Sequence, residues 1–176
     1  MKKRLGAPWF WPCILLWLLA AALPARQAAA QEAAPAHKYG LGIGSATIVN
    51  GIDGKVWFGG TALQAVVGVW GGGGARERFG HVRGLGVGVD YLFEMPPIAR
   101  SAYFDVAWSF GPGAGFGVQT ISGGKPALAA SGVAGLEFRF TTIPLELAIE
   151  YRPTVGLLPD FGIALVDFTG HLRVTF

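Results

Sequence analysis

The chain has 176 residues, is 52% hydrophobic, contains 28 glycines and carries a formal net charge of +3. The length suffices for a single domain. Four of the fourteen Lys and Arg residues and none of the eleven acidic residues precede position 31, so the remainder has a formal charge of −1. That balance excludes the basic surface on which nucleic-acid binding depends.

The first thirty residues have the three-part pattern of a secretory signal peptide. A positive start, an apolar run and a small-residue cleavage site follow one another as Lys2-Lys3-Arg4, Trp9–Leu23 and Ala28-Ala29-Ala30. The alternative is an N-terminal membrane anchor, but the run is shorter than the ~20 residues that a spanning helix needs. We therefore expect this segment to be removed after export.

The only cysteine, Cys13, lies inside that apolar run and follows Trp11-Pro12 rather than the small aliphatic residues of a lipoprotein cleavage box. We do not expect a lipid anchor there, and the mature chain then has no disulfide to stabilise it. After Ala30 no uninterrupted apolar run reaches 18 residues. A hydrophobic exported chain of this kind can satisfy its backbone in lipid by closing a β-sheet.

A period of two residues dominates the remainder of the sequence and predicts strands. In the last segment, Phe168, Gly170, Leu172, Val174 and Phe176 alternate with Thr169, His171, Arg173 and Thr175. A helix could not separate these two sets, because its faces repeat every three to four residues. The same alternation recurs upstream and predicts eight strands: 38–47, 51–59, 62–71, 82–94, 102–111, 129–140, 144–154 and 163–176.

Turn-forming residues fall between these segments. They are Asn50-Gly51, Asp53-Gly54, Gly59-Gly60-Thr61, Gly71–Gly74, Pro96-Pro97, Ser122-Gly123-Gly124, Thr141-Thr142 and Pro159-Asp160. We predict an all-β, closed antiparallel up-and-down transmembrane barrel, with a signal peptide at 1–30, a short periplasmic leader at 31–37 and the barrel at 38–176. An even strand number places both termini on one side. The predicted outward loops are 72–81, 112–128 and 155–162, the first carrying Arg76, Glu77, Arg78, Phe79 and His81.

Glycines and charged residues share one face of the predicted strands. Gly40, Gly42 and Gly44 superficially resemble a dinucleotide-binding loop, but they keep strict alternation and the sequence predicts no helix after them. The interior of an eight-stranded barrel is narrow and filled by side chains, so small inward residues make room for large ones. We predict these charged residues to face inward: Lys55, Asp90, Glu94, Asp105, Glu137, Arg139, Glu146, Glu150, Arg152, Asp167, His171 and Arg173.

Buried charges are costly unless they are paired. We therefore predict a structural network of ion pairs in the interior, formed by Glu137, Arg139, Glu146, Glu150, Arg152, Asp167, His171 and Arg173. The alternative interpretation of the same residues is a path that conducts protons or ions. No catalytic, cofactor-binding or metal-binding residue is predicted.

The C-terminal segment Phe168–Phe176 resembles the assembly signal of bacterial outer-membrane barrels. The resemblance implies that Phe168, Leu172, Val174 and Phe176 are recognised by the barrel-assembly machinery. Residues 38–176 are also similar to a family of small uncharacterised outer-membrane proteins that resemble the OmpA transmembrane domain. The segments that carry this similarity are 51–58, 89–92 and 144–153. It implies a fold and an outer-membrane location, without an activity.

Three functions remain open at this stage. The first is a monomeric, non-catalytic outer-membrane protein that contacts lipid and lipopolysaccharide and serves envelope structure, surface interaction or a narrow pore. The second is an enzyme that modifies lipid A, which needs a nucleophile beside a base; His37, His81 and His171 show no such pairing with a serine. The third is a soluble periplasmic barrel that binds a lipophile, which requires the opposite distribution of apolar and charged faces.

Overall fold

The computed structural model describes residues 37–70, 84–119 and 126–176, and within these ranges it contains strands and turns but no helix. Accordingly, no helix in the described part of the chain is long and apolar enough to cross a membrane. The strands are β1 Tyr39–Ala46, β2 Val49–Trp57, β3 Thr61–Trp70, β4 Gly84–Arg100, β5 Phe104–Gln119, β6 Pro126–Phe140, β7 Leu145–Tyr151, β8 Thr154–Leu158, β9 Gly162–Ala164 and β10 Phe168–Thr175.

The strands close into an eight-stranded antiparallel barrel. Neighbours pair in the order β1, β2, β3, β4, β5, β6, β7 and β10, and β10 pairs with β1 again. Strand β8 continues β7 along β6, and β9 pairs with β8. The last two strands of the barrel wall are therefore each interrupted once, the first between β7 and β8 and the second between β9 and β10. The predicted fold class, an all-β closed barrel of eight strands, is confirmed.

The register of the strands sets their tilt. Starting from Gly44 and moving to the paired residue on each neighbouring strand in turn, one passes through β2, β3 and β4 and reaches Gly117 of β5. In the other direction one passes through β10, β7 and β6 and reaches Ala107 of the same strand. Closure thus offsets the register by ten residues. With ~3.3 Å per residue and ~4.8 Å between strands, this offset corresponds to a tilt of about 40°, within the usual range for barrels.

The two faces of the wall separate as the alternation predicts. On β10 the residues alternate strictly between exposed and buried, with His171 and Arg173 inside and Leu172 and Val174 outside. We call the end with the termini the lower end. There Phe176 exchanges backbone hydrogen bonds with Tyr39, and the turns at 58–60, 101–103 and 141–144 lie at the same end. The opposite end is the upper end.

Two turn predictions in the first half of the chain are wrong. Asn50-Gly51 and Asp53-Gly54 lie within β2, and the chain reverses at Thr47-Ile48 instead. Asp53 is fully buried in the barrel, and this inward position outweighs its local preference for a turn.

The turn predicted at Pro96-Pro97 is also wrong. These residues lie within β4, where the register with β5 shifts between Met95 and Ala99. A bulge accommodates proline because its ring nitrogen has no hydrogen to donate to the ladder.

The predicted loops are also longer than those observed. Most of the segment 112–128 is strand, since β5 continues to Gln119 and β6 begins at Pro126. The segment 155–162 contains most of β8. The predicted turns at 141–142 and 159–160 lie between strands, as expected, and so does Gly59-Gly60, whereas Thr61 begins β3. The loop 72–81 with its charged tip, the turns at 71–74 and 122–124, and the N-terminal segments lie outside the described residues.

Candidate functional site

Most of the charged side chains of the barrel lie inside it, in two groups that touch. The lower charge cluster consists of Lys55, Glu94, Ser109, Glu137, Arg139 and Glu146. The central charge cluster lies above it and consists of Asp53, Gln64, Asp90, Glu150, Arg152, His171 and Arg173. All of these residues except Arg139 are at most 2% exposed. Together they hold six carboxyl groups, four cationic side chains and one histidine.

Alternating cations and carboxylates hold the lower charge cluster together. The Nζ atom of Lys55 lies 2.8 Å from Glu94 and 2.6 Å from Glu137. Arg139 reaches the same two carboxylates at 2.5 and 2.6 Å. The hydroxyl of Ser109 donates to Glu137 at 2.8 Å. Two cations therefore share two carboxylates, which compensates the loss of hydration that buried charges suffer.

Trp57 closes the lower charge cluster toward the lower end. Its ring centroid lies 5.0 Å from the Lys55 ammonium and 6.0 Å from the Arg139 guanidinium, and its side chain is 3% exposed. Cations within about 6 Å of an indole face are attracted to it. The indole thus both covers the ion pairs and contributes to their stabilisation.

Arginines organise the central charge cluster. Arg152 donates to both oxygens of Asp90 at 2.6 and 3.0 Å and also to Glu150. Arg173 donates to Asp53 at 2.5 Å and to Gln64. Such forked contacts are the strong form of charge-assisted hydrogen bond. They fix the positions of the carboxylates across the lumen.

His171 joins the two sides of the central charge cluster. Its Nδ1 atom lies 3.0 Å from Asp53, and its Nε2 atom lies 3.1 Å from Glu150. Gln64 lies 3.4 Å from the same Nε2 atom. Only a ring that carries a proton on each nitrogen can donate to both carboxylates. His171 therefore links the carboxylates of Asp53 and Glu150 inside the barrel.

The structure brings most of the residues predicted for the network into contact. Arg173 connects the two clusters, because it also donates to Glu146 at 2.5 Å. The remaining members in contact are Glu137, Arg139, Glu150, Arg152 and His171. Asp167 is half-buried outside β10, and its backbone carbonyl accepts a hydrogen bond from the amide of Arg152 at 2.8 Å.

Three members of the clusters are absent from the predicted inward set and from the predicted network: Asp53, Gln64 and Ser109. The sequence predicts Asp53 in a turn, and Gln64 and Ser109 carry no charge, so a prediction based on charged residues does not include them. The alternation of Asp53 with Lys55 and Trp57 along β2 could have identified this aspartate. Lys55, Asp90 and Glu94 face inward as predicted and join the ion pairs. Asp105 is half-buried at the lower rim and lies opposite Arg139 in the register.

The upper half of the lumen is filled by the turn between β1 and β2, which bends into the barrel. Its residues Ala46–Val49 are between 0 and 4% exposed. The Thr47 hydroxyl lies 2.6 Å from Ser131 Oγ on β6 and accepts a hydrogen bond from Arg152 at 3.2 Å. The turn therefore crosses the lumen and rests on the central charge cluster.

Glycines on the opposite wall receive this turn. A Cβ atom at Gly115 of β5 would overlap the carbonyl oxygen of Thr47, and one at Gly88 of β4 would lie 2.5 Å from Ala46. Ile48, at the tip, has a φ of +59°, which is unfavourable for a β-branched residue. The fit is thus specific enough to hold a strained backbone. Apolar residues complete the upper plug: Ala46, Ile48, Val49, Val66, Trp70, Ala127 and Ala129.

The surroundings of His171 are those of a charged link between carboxylates. In the described part of the chain, the side chains within hydrogen-bond distance of His171 are Asp53, Glu150 and Gln64, and none carries a hydroxyl or thiol nucleophile. Among the same residues, no group of three His, Cys, Asp or Glu side chains could hold a metal ion. In both clusters, opposite charges lie in contact and neutralise one another.

The four residues of the C-terminal segment that resemble an assembly signal lie on the outer face. Phe168, Leu172, Val174 and Phe176 are 43–64% exposed. Phe176 stacks on Tyr39 with the ring centroids 6.0 Å apart.

Comparisons of the chain with protein-family models, with curated proteins and with solved structures found no match. The functional argument therefore depends on the residues and their geometry.

Proposed function

We propose that this protein is a non-catalytic integral outer-membrane barrel of the small type that resembles the OmpA transmembrane domain. Under this proposal, residues 1–30 direct export and are removed, and residues 38–176 insert into the outer membrane as a monomer through the assembly machinery. Its role is structural support of the envelope or interaction at the cell surface. The buried side chains that fill the described part of the lumen favour this role over a narrow pore.

The distribution of apolar side chains carries this proposal. Thirty-two large hydrophobic residues are exposed on the described surface, among them Ile52, Val67 and Leu85 at 60% or more. Soluble monomers rarely expose contiguous apolar patches beyond a few hundred Å². A continuous apolar exterior around an ion-paired interior is the distribution expected in lipid.

Aromatic residues concentrate toward the lower end of that exterior. Tyr39 pairs with Phe176, Phe93 with Phe110, and Phe104 with both Phe138 and Phe140. Aromatic girdles mark the membrane interfaces of outer-membrane barrels, and short turns mark the periplasmic side. The lower end, with its termini and short turns, therefore corresponds to the periplasmic side in this proposal.

The first test is fractionation followed by electrophoresis with and without boiling. We expect the mature chain in the outer-membrane fraction, migrating faster unboiled than boiled because a folded barrel resists the detergent. A variant that lacks residues 2–30 should remain inside the cell and show one mobility. Recovery of the intact protein in the soluble periplasmic fraction would overturn the proposal.

A charge placed on the outer face tests lipid contact directly. Val67 is 60% exposed near mid-height, so Val67→Arg should lower the free energy of unfolding by ~2–4 kcal/mol if lipid surrounds it. Thr142→Arg, in an exposed turn at the lower end, should change it by less than about 0.5 kcal/mol. Urea titration in lipid vesicles measures both. Equal, small effects would place the apolar face in water.

A further inference from the structure

A groove on the outer face marks the place where the first hairpin leaves the wall. The hydrogen-bonded ladder between β1 and β10 ends at Gly44 and His171, although β10 begins three residues higher, at Phe168. Residues 168–170 therefore pair with β7 only. Above Gly44, β1 turns into the lumen, and the wall is left with a notch of about 700 Å³.

The notch is lined by backbone at its floor and by aliphatic side chains at its sides. Gly44, Gly51 and Gly170 contribute no side chain to it. Ile43 and Ile52, on its sides, are 64 and 66% exposed. Because the notch opens sideways onto the apolar exterior, its occupant must be apolar over most of its length.

One polar pair lies at the upper part of the notch. The Ser45 hydroxyl donates to the Asn50 side-chain oxygen at 2.5 Å, and both residues line the groove. The Asn50 side chain also carries an NH₂ group that can donate to an ester or amide oxygen. An amphipathic occupant would thus lie with its polar end toward the upper end of the barrel.

We propose that the notch binds one acyl chain of the lipid A part of lipopolysaccharide, with the linkage oxygen of that chain near Ser45 and Asn50. The inference rests on the proposed outer-membrane function, which places the upper end in the outer leaflet, where lipopolysaccharide lies. The inward fold of the hairpin then has two consequences. It fills the lumen, and it leaves room for one lipid chain outside.

Two exposed glycines provide a matched test. A Cβ atom at Gly170 would have its nearest neighbour, the Ala148 carbonyl oxygen, at 3.7 Å, and one at Gly132 of β6 would have Pro153 at 3.7 Å. Both positions therefore accept a side chain on the outer face, but only Gly170 lines the notch. Gly170→Leu should fill the notch, whereas Gly132→Leu adds the same side chain elsewhere.

The experiment is native mass spectrometry of protein extracted from outer membranes in a mild detergent. We expect the wild-type protein and Gly132→Leu to retain one lipopolysaccharide molecule. Gly170→Leu should retain it about tenfold less, since the leucine displaces about two methylene groups from the groove. If Gly170→Leu does not fold, Ile43→Trp fills the same notch from an exposed position.

Three outcomes would overturn the inference: no lipid on the wild-type protein, equal retention by Gly170→Leu, or retention of phospholipid in place of lipopolysaccharide. Electrophoresis of the same samples separates this failure from failure of the proposed function. A barrel with heat-dependent mobility that retains no lipid contradicts the notch alone. A soluble chain without such mobility contradicts both.

Discussion

The lower and upper halves of the lumen are filled by opposite chemistries. In the lower half, long charged side chains from all round the wall meet as ion pairs, such as Lys55 with Glu137. In the upper half, the backbone of one hairpin turn crosses the lumen and rests on glycines of the far wall. The lumen of a narrow barrel can therefore be filled either by side chains or by a turn of its own wall that folds inward.

The two halves should fail for different reasons. Loss of one partner from a buried ion pair lowers the stability strongly, because the other charge stays desolvated. An inserted turn depends on shape, so it tolerates added volume badly. Arg152 belongs to both halves, since it pairs with Asp90 below and donates to Thr47 above.

The largest effect is therefore expected for Arg152→Ala. This change leaves Asp90 without its cation, leaves Glu150 with His171 alone, and removes a donor to the turn, and it should cost ~3–5 kcal/mol of unfolding free energy. Urea titration of tryptophan fluorescence in vesicles measures the loss. The control is Lys38→Ala at the exposed lower rim, which should change stability by less than about 0.5 kcal/mol. A cost below about 1 kcal/mol for Arg152→Ala would mean that the two halves are not joined there.

A smaller effect is expected when the shape of the upper half is changed without touching any charge. In Gly115→Ala, the new methyl group overlaps the Thr47 carbonyl, and the displaced turn should cost ~1–3 kcal/mol. In Gly132→Ala, the methyl group has its nearest neighbour at 3.7 Å. That control should be neutral or slightly stabilising, by up to about 1 kcal/mol, because alanine restricts the unfolded chain. The same titration compares the two, and equal stabilities would show that the turn does not depend on this fit.

The sequence predicted the lower half far better than the upper half. Along β10, each inward position carries a polar side chain and each outward position a glycine or an apolar one, so alternation alone assigned His171 and Arg173. The sequence signal for the turn in the upper half is weak, because Ala46–Val49 contains no glycine, proline or asparagine. Nothing local distinguishes these residues, which are apolar except for Thr47, from a wall strand, and their position depends on contacts with β4, β5 and β6.

The same difference explains the shortened prediction for β5. Its segment from Gly111 to Gly117 has the composition of a loop, yet its alternate glycines face the lumen. Cβ atoms at Gly113, Gly115 and Gly117 would meet, in turn, Asp90, the inserted turn and Trp70. These glycines are required by partners that are distant in sequence, so only the closed barrel reveals that the segment is a strand.

The smallest effect tests whether hydrogen bonds add specificity to a turn that is held mainly by packing. Thr47→Val keeps the shape of the side chain and removes its bonds to Ser131 and Arg152, which should cost about 1 kcal/mol. Thr141→Val, which removes a hydroxyl bond to Ala102 in an exposed turn, should cost less than about 0.5 kcal/mol.

A double-mutant cycle with Ser131→Ala separates the two bonds of Thr47. If the contact with Ser131 contributes, the double variant should be more stable than the sum of the single losses implies, by roughly 0.5 kcal/mol or more. A coupling near zero would mean that Arg152, rather than Ser131, supplies the hydrogen bond that stabilises the Thr47 hydroxyl. The polar contribution to the upper half would then come from the central charge cluster, while packing against the glycines of β4 and β5 would still set the position of the turn.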